Sequence, residues 1–230
     1  MNALERRRLL RWGRQSGRRF LWRTIDDPYQ IVVTELMLVR TNADQVARVW
    51  PRFFESYPTL RSLNEAPPSD VRSLLHPLGL EWRADRIKEF AAEAAKVGDW
   101  WTQASELPGG GPYVTGALAV AMRGHGRLPV DTTIARVLVR FYGIRVAGEG
   151  RRTPAVLEAA RGLGDSSRAF FHAFLDVAAL VCLPHAPRCS ICPLQSACVT
   201  SQAASDVRAR RPGRARPLVR SRSIRWNRGS

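Results

Sequence analysis

Apolar positions recur at three- and four-residue spacing along most of the first 199 residues, and no stretch alternates convincingly enough to make a strand. The segments QIVVTELMLV, DRIKEFAAEAAKV, VTGALAVAM, TIARVLVRFYG and RAFFHAFLDVAALVC each read as a helix, divided from one another by Pro or Gly. The last is apolar nearly all round, which predicts a helix buried in the core. The pattern is that of an all-α protein without internal repeats. At 230 residues it implies one or two compact lobes.

Residues 201–230 break this pattern, with nine Arg against one Asp and few core-forming side chains, so they carry about half of the net charge of +16. Such a tail is expected to be disordered when free, either touching nucleic acid loosely or remaining a solvated extension. The overall charge and the pI of 11.3 point to a polyanionic partner, nucleic acid first among them. Only Lys88 and Lys96 are lysines, and genomic base composition alone produces such an arginine skew. No run of eighteen apolar residues occurs, and the N-terminus MNALERRRLLRWGRQSGRRF lacks the features of a secretory signal. The expected location is intracellular: cytoplasmic, associated with the nucleoid.

All four cysteines fall in CLPHAPRCSICPLQSAC, residues 182–198. Two disulfides, a structural zinc or an iron–sulfur cluster would each use four thiols; inside a reducing cell, clustered cysteines are more often metal ligands than disulfides.

Three further segments carry candidate chemistry. ELPGGGPYVTGALAVAM reads as a helix end, a tight glycine turn and a new helix with Pro112 at its first position. Gly109 to Gly111 let backbone N–H groups approach an anion, although most glycine turns of this kind are structural. GRLPVDTTIARVLVRFYG places Asp131 as N-cap of a helix that Gly143 ends; the carboxylate serves there as a cap, as a rigid reactive group, or as both. Glu35 interrupts the apolar IVVTELMLVR. It is either a surface or Arg-paired residue, or a buried acid with a raised pKa.

Taken in order, the LPGxG-type hairpin, PVD with its helix about twenty residues later, and the Cys-x6-Cys-x2-Cys-x5-Cys spacing resemble the helix–hairpin–helix (HhH-GPD) DNA glycosylases related to endonuclease III and adenine DNA glycosylase. The resemblance covers roughly residues 5–199. It implies a two-lobed all-α fold: residues 25–128 as a central lobe with the hairpin near 107–116, residues 1–24 plus 129–199 as a terminal lobe with the cluster loop 182–198, and residues 200–230 as the Arg-rich tail. It further implies a [4Fe–4S] cluster on Cys182, Cys189, Cys192 and Cys198, structural rather than redox-active, with four-cysteine zinc as the alternative.

The string RRFLWRTIDDPYQIVVTELMLVRTNADQVARVWPRFF is similar to the G·T mismatch thymine glycosylases of the superfamily, and somewhat less so to the adenine enzymes. Both carry a Glu where Glu35 falls. Tyr113 stands where bifunctional members have the Schiff-base Lys; the mismatch enzymes have Tyr there and the adenine enzymes generally Ser. The resemblance thus implies a monofunctional glycosylase of base excision repair, without lyase activity, acting on T or U opposite G in double-stranded DNA, and a monomer. Asp131 would stabilise or capture the sugar cation, Glu35 would protonate or orient the leaving base or place the water, and Tyr113 would line the pocket. Gly109 and Gly111 would hold a phosphate, and Arg40 would contact the opposite strand or the estranged guanine. An adenine glycosylase lacking the C-terminal 8-oxoguanine reader, or a non-catalytic DNA-binding protein, are the alternatives. The hairpin departs from the family pattern, with Gly110 in place of an apolar residue and Pro112 in place of a basic one, so a looser phosphate clamp is expected. PVDTT is closer to endonuclease III after the aspartate.

Overall fold

The computed structural model describes residues 1–79, 81–148 and 150–203. Helices carry its architecture, as the sequence pattern predicts, and they enclose two hydrophobic clusters.

The first cluster is built from α2 (Pro28–Leu38), α3 (Ala43–Ser56), α4 (Leu60–Glu65), α5 (Pro68–Leu75) and α6 (Trp82–Ala94), around Met37, Phe53, Leu63, Ile87 and Phe90. These helices start where the chain supplies an acceptor for their free N–H groups: Asp27 caps α2, Asn42 caps α3 and Thr59 forms a capping box with Ser62 at α4. One of the two lysines closes the other end of α4, where Lys88 donates to the carbonyls of Leu63, Asn64 and Ala66 at 2.7–2.9 Å.

The second cluster joins α1 (Ala3–Ser16), α8 (Thr132–Tyr142), α9 (Pro154–Arg161) and α10 (Arg168–Asp176) around Leu9, Ile134, Leu138, Val156, Phe170 and Phe174. Helix α1 lies along α10, and Gly13 permits the contact: a β-carbon there would sit 2.6 Å from the Ala173 β-carbon. Between the clusters runs α7 (Pro112–Arg123), apolar on two stripes. Val114 and Leu118 face the first cluster, Ala117 and Val120 the second, and Tyr113 packs against both.

Three local features differ from the sequence expectation. A two-residue antiparallel ladder pairs β1 (His125–Gly126) with β2 (Ser166–Ser167), too short for any alternation to announce. The apolar run RAFFHAFLDVAALVC is not one continuous α-helix: α10 stops at Asp176 and a π turn, Val177–Val181, carries the chain to Cys182, whose N–H reaches the Val177 carbonyl at 2.7 Å. Ordered chain also runs past residue 200, since residues 199–203 are helical and Ser201 is 3% exposed. The remainder of the Arg-rich tail lies outside the described residues.

Asp176, at the end of α10, is 1% exposed and anchors the segment between α1 and α2. Arg23 grips it with both terminal nitrogens at 2.8 Å, and Arg18 adds its backbone N–H at 2.9 Å and its Nε at 2.7 Å. Burial alone would raise the Asp176 pKa, but the hydrogen bonds and charges of Arg23 and Arg18 outweigh it and hold the carboxyl below its ordinary value. Its contribution to stability is therefore present above the unfolded-state pKa and is lost as pH falls through the lower folded value. Asp176→Asn should destabilise the fold by about 3 kcal/mol, because two arginines lose their shared counter-ion. Urea midpoints at pH 7 test this, and the gap between wild type and variant should close on acidification.

Candidate active site

Helix α2 begins at Pro28 because Asp27 accepts the Tyr29 N–H at 2.9 Å and proline needs no donor at the first position. Its third turn then places Glu35 on the side facing α7, between the buried Thr34 and Leu36. The hairpin before α7 is packed against the same helix. Gly109 has φ +84°, and a β-carbon on it would lie 2.4 Å from Leu36 Cδ2. At Gly110 a β-carbon would fall 1.6 Å from the Ala104 carbonyl oxygen, so the departure at this position is a close-packed turn that admits only glycine. Gly111 is different: it is the N-cap of α7 and has open space over its Cα.

Pro112 starts α7, and the next residue, Tyr113, reaches Glu35. The phenol donates a hydrogen bond to the carboxyl. Asp131 comes from the start of α8, where it caps the helix as expected. It accepts the Ile134 N–H at 2.7 Å, and the Thr133 hydroxyl lies 3.0 Å from each of its carboxylate oxygens. Gly143, at φ +68°, ends α8.

Burial, first, and the nearby Asp131 charge, second, raise the Glu35 pKa to about 7, against smaller lowering effects of the Tyr113 hydrogen bond and of Arg23. Tyr113 is pushed well above its ordinary value by burial and by both carboxylates, so it remains a phenol and a donor. The structure thus brings Glu35, Tyr113 and Asp131 together. One carboxyl is poised between acid and anion at neutral pH while its neighbour is fixed by a helix N-terminus and a hydroxyl.

A small cavity of about 30 Å³ opens beside Glu35, roughly the space of one water molecule. Its walls are Trp22 and Arg23 from the segment after α1, Thr34 and Glu35 from α2, Ala117, Val120 and Ala121 from α7, and Arg168, Phe171 and His172 from α10. Burial and the charges of Arg23 and Arg168 lower the His172 pKa to about 3, so it stays a neutral imidazole able to donate from one nitrogen and accept at the other. Sequence reading missed His172, Arg23 and Thr133. The only trace of His172 is an imidazole in the middle of the buried run RAFFHAFLDV, between Arg168 and Asp176, and Thr133 lies in the PVDTT string.

The other expected site residues lie apart from this group. Arg40 is exposed just past the end of α2. The four cysteines occupy the loop after the π turn as free thiols, which leaves out the disulfide alternative in this structure. Arg140 of α8 reaches Cys182 Sγ at 3.4 Å, and Arg136 donates to the Cys182 carbonyl at 2.9 Å. Burial, with added repulsion from Cys182, Cys198 and Cys189, pushes the Cys192 thiol up to about 11, although the Leu194 backbone N–H opposes this. The sulfurs are thus close enough to feel one another. Among the described residues, however, no three His, Cys, Asp or Glu side chains close into a grip for a metal ion.

A glycine hairpin feeds the helix that carries the phenol, and a capped aspartate opens the next, the helix–hairpin–helix arrangement expected from the sequence. The chain belongs to the HhH-GPD superfamily of base excision DNA repair proteins, whose model its residues 33–159 match. It is 32% identical over 206 residues to a thymine-DNA glycosylase of Aeropyrum pernix, covering 84% of this chain and 92% of that one. Identity to a thymine/uracil-DNA glycosylase of Methanothermobacter thermautotrophicus is 28% over 200 residues, 83% of this chain and 90% of the relative. An adenine DNA glycosylase of Schizosaccharomyces pombe is 32% identical over 193 residues, which span 78% of this chain but 41% of the relative. Among solved structures, a thermostable thymine-DNA glycosylase superposes with a TM-score of 0.77 at 27% identity, over 86% of this chain and 97% of that one. A trapped endonuclease III–DNA complex shares the fold with a TM-score of 0.70 at 18% identity, over 87% of this chain and 95% of that one. The protein is a DNA glycosylase of base excision repair.

Because the folded Glu35 binds its proton more tightly than the unfolded chain, it lowers stability as pH rises from about 4.5 to about 7. Glu35→Gln should remove that dependence and make the protein more stable at pH 8, by at most about 3 kcal/mol. Denaturant midpoints of both proteins at pH 5 and pH 8 measure the difference.

Proposed function

We propose that the enzyme is a monofunctional glycosylase that removes thymine or uracil mispaired with guanine. The observation that carries this reading is the Glu35–Tyr113–Asp131 group beside the pocket: a phenol where an amine would be needed for imine chemistry, between one protonatable and one fixed carboxylate. The names of the thymine and thymine/uracil relatives support the substrate class.

The two hydrophobic clusters support a division into two lobes, a central one of residues 25–128 and a terminal one of 1–24 plus 129–199, with α7 shared between them. Duplex DNA lies across their junction. The exposed N-cap at Gly111, with Gly109 shaping the turn, receives a phosphate at the start of α7. The mispaired nucleotide swings out of the stack toward Glu35, at lower cost than a Watson–Crick partner would, and the small cavity there widens to receive it. There the neutral His172 and the Glu35 carboxyl face its polar edge.

As the N-glycosidic bond breaks, its electron pair leaves with the pyrimidine and positive charge grows on the deoxyribose. The Asp131 carboxylate, held by the Ile134 N–H and the Thr133 hydroxyl, stabilises that charge. Glu35 supplies or relays the proton that the leaving base needs, and water completes the sugar as a hydroxyl. Tyr113 holds Glu35 in place and has no nucleophilic amine with which to cleave the strand.

For the cysteine loop, four thiols beside Arg136 and Arg140 form a donor set that suits a [4Fe–4S] cluster. Cys182, Cys189, Cys192 and Cys198 would hold the cluster, which would tie the loop into one rigid surface and take no part in hydrolysis. The purified protein should be brown, absorb broadly near 400 nm and contain iron and acid-labile sulfide in equal amounts; a colourless zinc protein would contradict the assignment.

The adenine reading is favoured by the adenine glycosylase relatives and keeps a place in the test. End-labelled duplexes with G·T, G·U, A·8-oxoguanine or A·G pairs are incubated with enzyme, with and without hot alkali. Scission of G·T and G·U strands only after alkali is expected, and Asp131→Asn should lower turnover about 100-fold or more while binding persists. Cleavage at adenine would move the enzyme to the other branch, and scission without alkali would overturn the role given to Tyr113.

A further inference from the structure

Arg83 stands out among the described residues because it is an arginine only 1% exposed with no carboxylate beside it. Buried charges are ordinarily neutralised by an opposite charge, and burial accordingly lowers the Arg83 pKa. Its terminal nitrogens are used instead on two surface turns. One donates to the Val39 carbonyl and to the Thr41 hydroxyl, the latter at 2.5 Å; the other donates to the carbonyls of Leu78 at 3.2 Å and Gly79 at 2.7 Å. The Nε has no hydrogen-bond partner among the described residues, and the guanidinium carbon lies 5.8 Å from the centroid of the Trp82 ring. An apolar side chain would fill the same space but leave these carbonyls unpaired, so Arg83 braces the end of α2 against the turn at Leu78 and Gly79.

The two acceptors from the first turn flank Arg40. That residue has φ +55°, in the left-handed region that a side-chain-bearing residue enters only at a cost, and no glycine substitutes for it. Its side chain is exposed and makes no hydrogen bond or ion pair among the described residues. A strained backbone persists only where its surroundings over-determine it, and here a single guanidinium fixes the residue before and the residue after. Arg40 lies two residues past the end of the helix that carries Glu35.

We propose that Arg83 is a positioning residue for opposite-base recognition: by clamping Val39 and Thr41 to the turn at Leu78 and Gly79, it sets the strained Arg40 backbone so that the Arg40 guanidinium meets the acceptor edge of the estranged guanine. The inference rests on the reading of Arg40 as the residue that contacts that guanine. A lysine has neither the planar fork nor the number of donors to hold both turns.

The test measures equilibrium binding to duplexes with a tetrahydrofuran abasic analogue opposite guanine or opposite adenine, which requires no chemistry. Wild type should prefer guanine, and Arg40→Ala should lose that preference by about tenfold. Arg83→Lys and Arg83→Met should lose it to the same extent, with adenine-opposite affinity shifting much less. Thr41→Val, which removes one acceptor and leaves Arg83 in place, should show a smaller loss in the same direction. The Arg40→Ala/Arg83→Lys double variant should be no worse than Arg40→Ala. If Arg40→Ala retains the preference, the reading of Arg40 falls and the clamp's purpose with it. If Arg40→Ala loses it but Arg83→Lys and Thr41→Val keep it, the clamp alone is refuted. Equal weakening on both duplexes would make Arg83 a structural brace and nothing more.

Discussion

The structure depends on one unfavourable arrangement: two carboxyl groups, Glu35 and Asp131, held near each other at the seam where two hydrophobic cores meet. Neither the apolar wall of α2 nor the proximity of Asp131 is comfortable for an ionised glutamate, and together they raise its pKa to about 7. The two groups differ in what holds them: Asp131 is fixed by the Ile134 N–H at a helix N-terminus and by the Thr133 hydroxyl, whereas Glu35 receives one phenolic hydrogen bond. Two chemically similar groups thereby sit in different surroundings, as an acid and a charge-stabilising carboxylate require.

Holding that pair demands rigidity around it. Helix α7 serves both cores and brings Tyr113 between them, the glycine hairpin packs directly on Leu36 beside Glu35, and the Asp176 network ties the pocket-lining Arg23 to the end of α10. Positive charge is distributed to match. Burial, reinforced by Arg23 and Arg168, keeps His172 neutral within the fold, while Arg136 and Arg140 stand against the cysteine loop. These four arginines thus serve the fold and the site directly, while the rest of the basic side chains set the field that attracts a polyanion.

How much of this was legible in the sequence follows from the range of each interaction. The caps at Asp131 and Gly143, the proline start of α7 and the glycine turn are set by neighbours within a few residues, and the chain states them directly. The proximity of Glu35 and Asp131, far apart in sequence, came only through resemblance. His172 and Arg83 were overlooked because one imidazole in the middle of an apolar helix, or one arginine among many, looks like a surface position until the fold buries it. The two-residue ladder and the π turn lie below the length at which periodicity speaks. The tightness of the turn at Gly110 was likewise invisible, since the obstacle is a carbonyl oxygen of the preceding turn.

The central claim, that the Asp131 charge and burial keep a proton on Glu35 near neutrality, is open to direct observation. Carboxyl-selective 13C NMR of the glutamates, with Glu35→Gln used to assign the resonance, gives the Glu35 titration in wild type and in Asp131→Asn. The account predicts a midpoint near 7 in the wild type that moves downward when the neighbouring charge is removed. A wild-type midpoint in the ordinary carboxylate range, or one indifferent to Asp131→Asn, would contradict it.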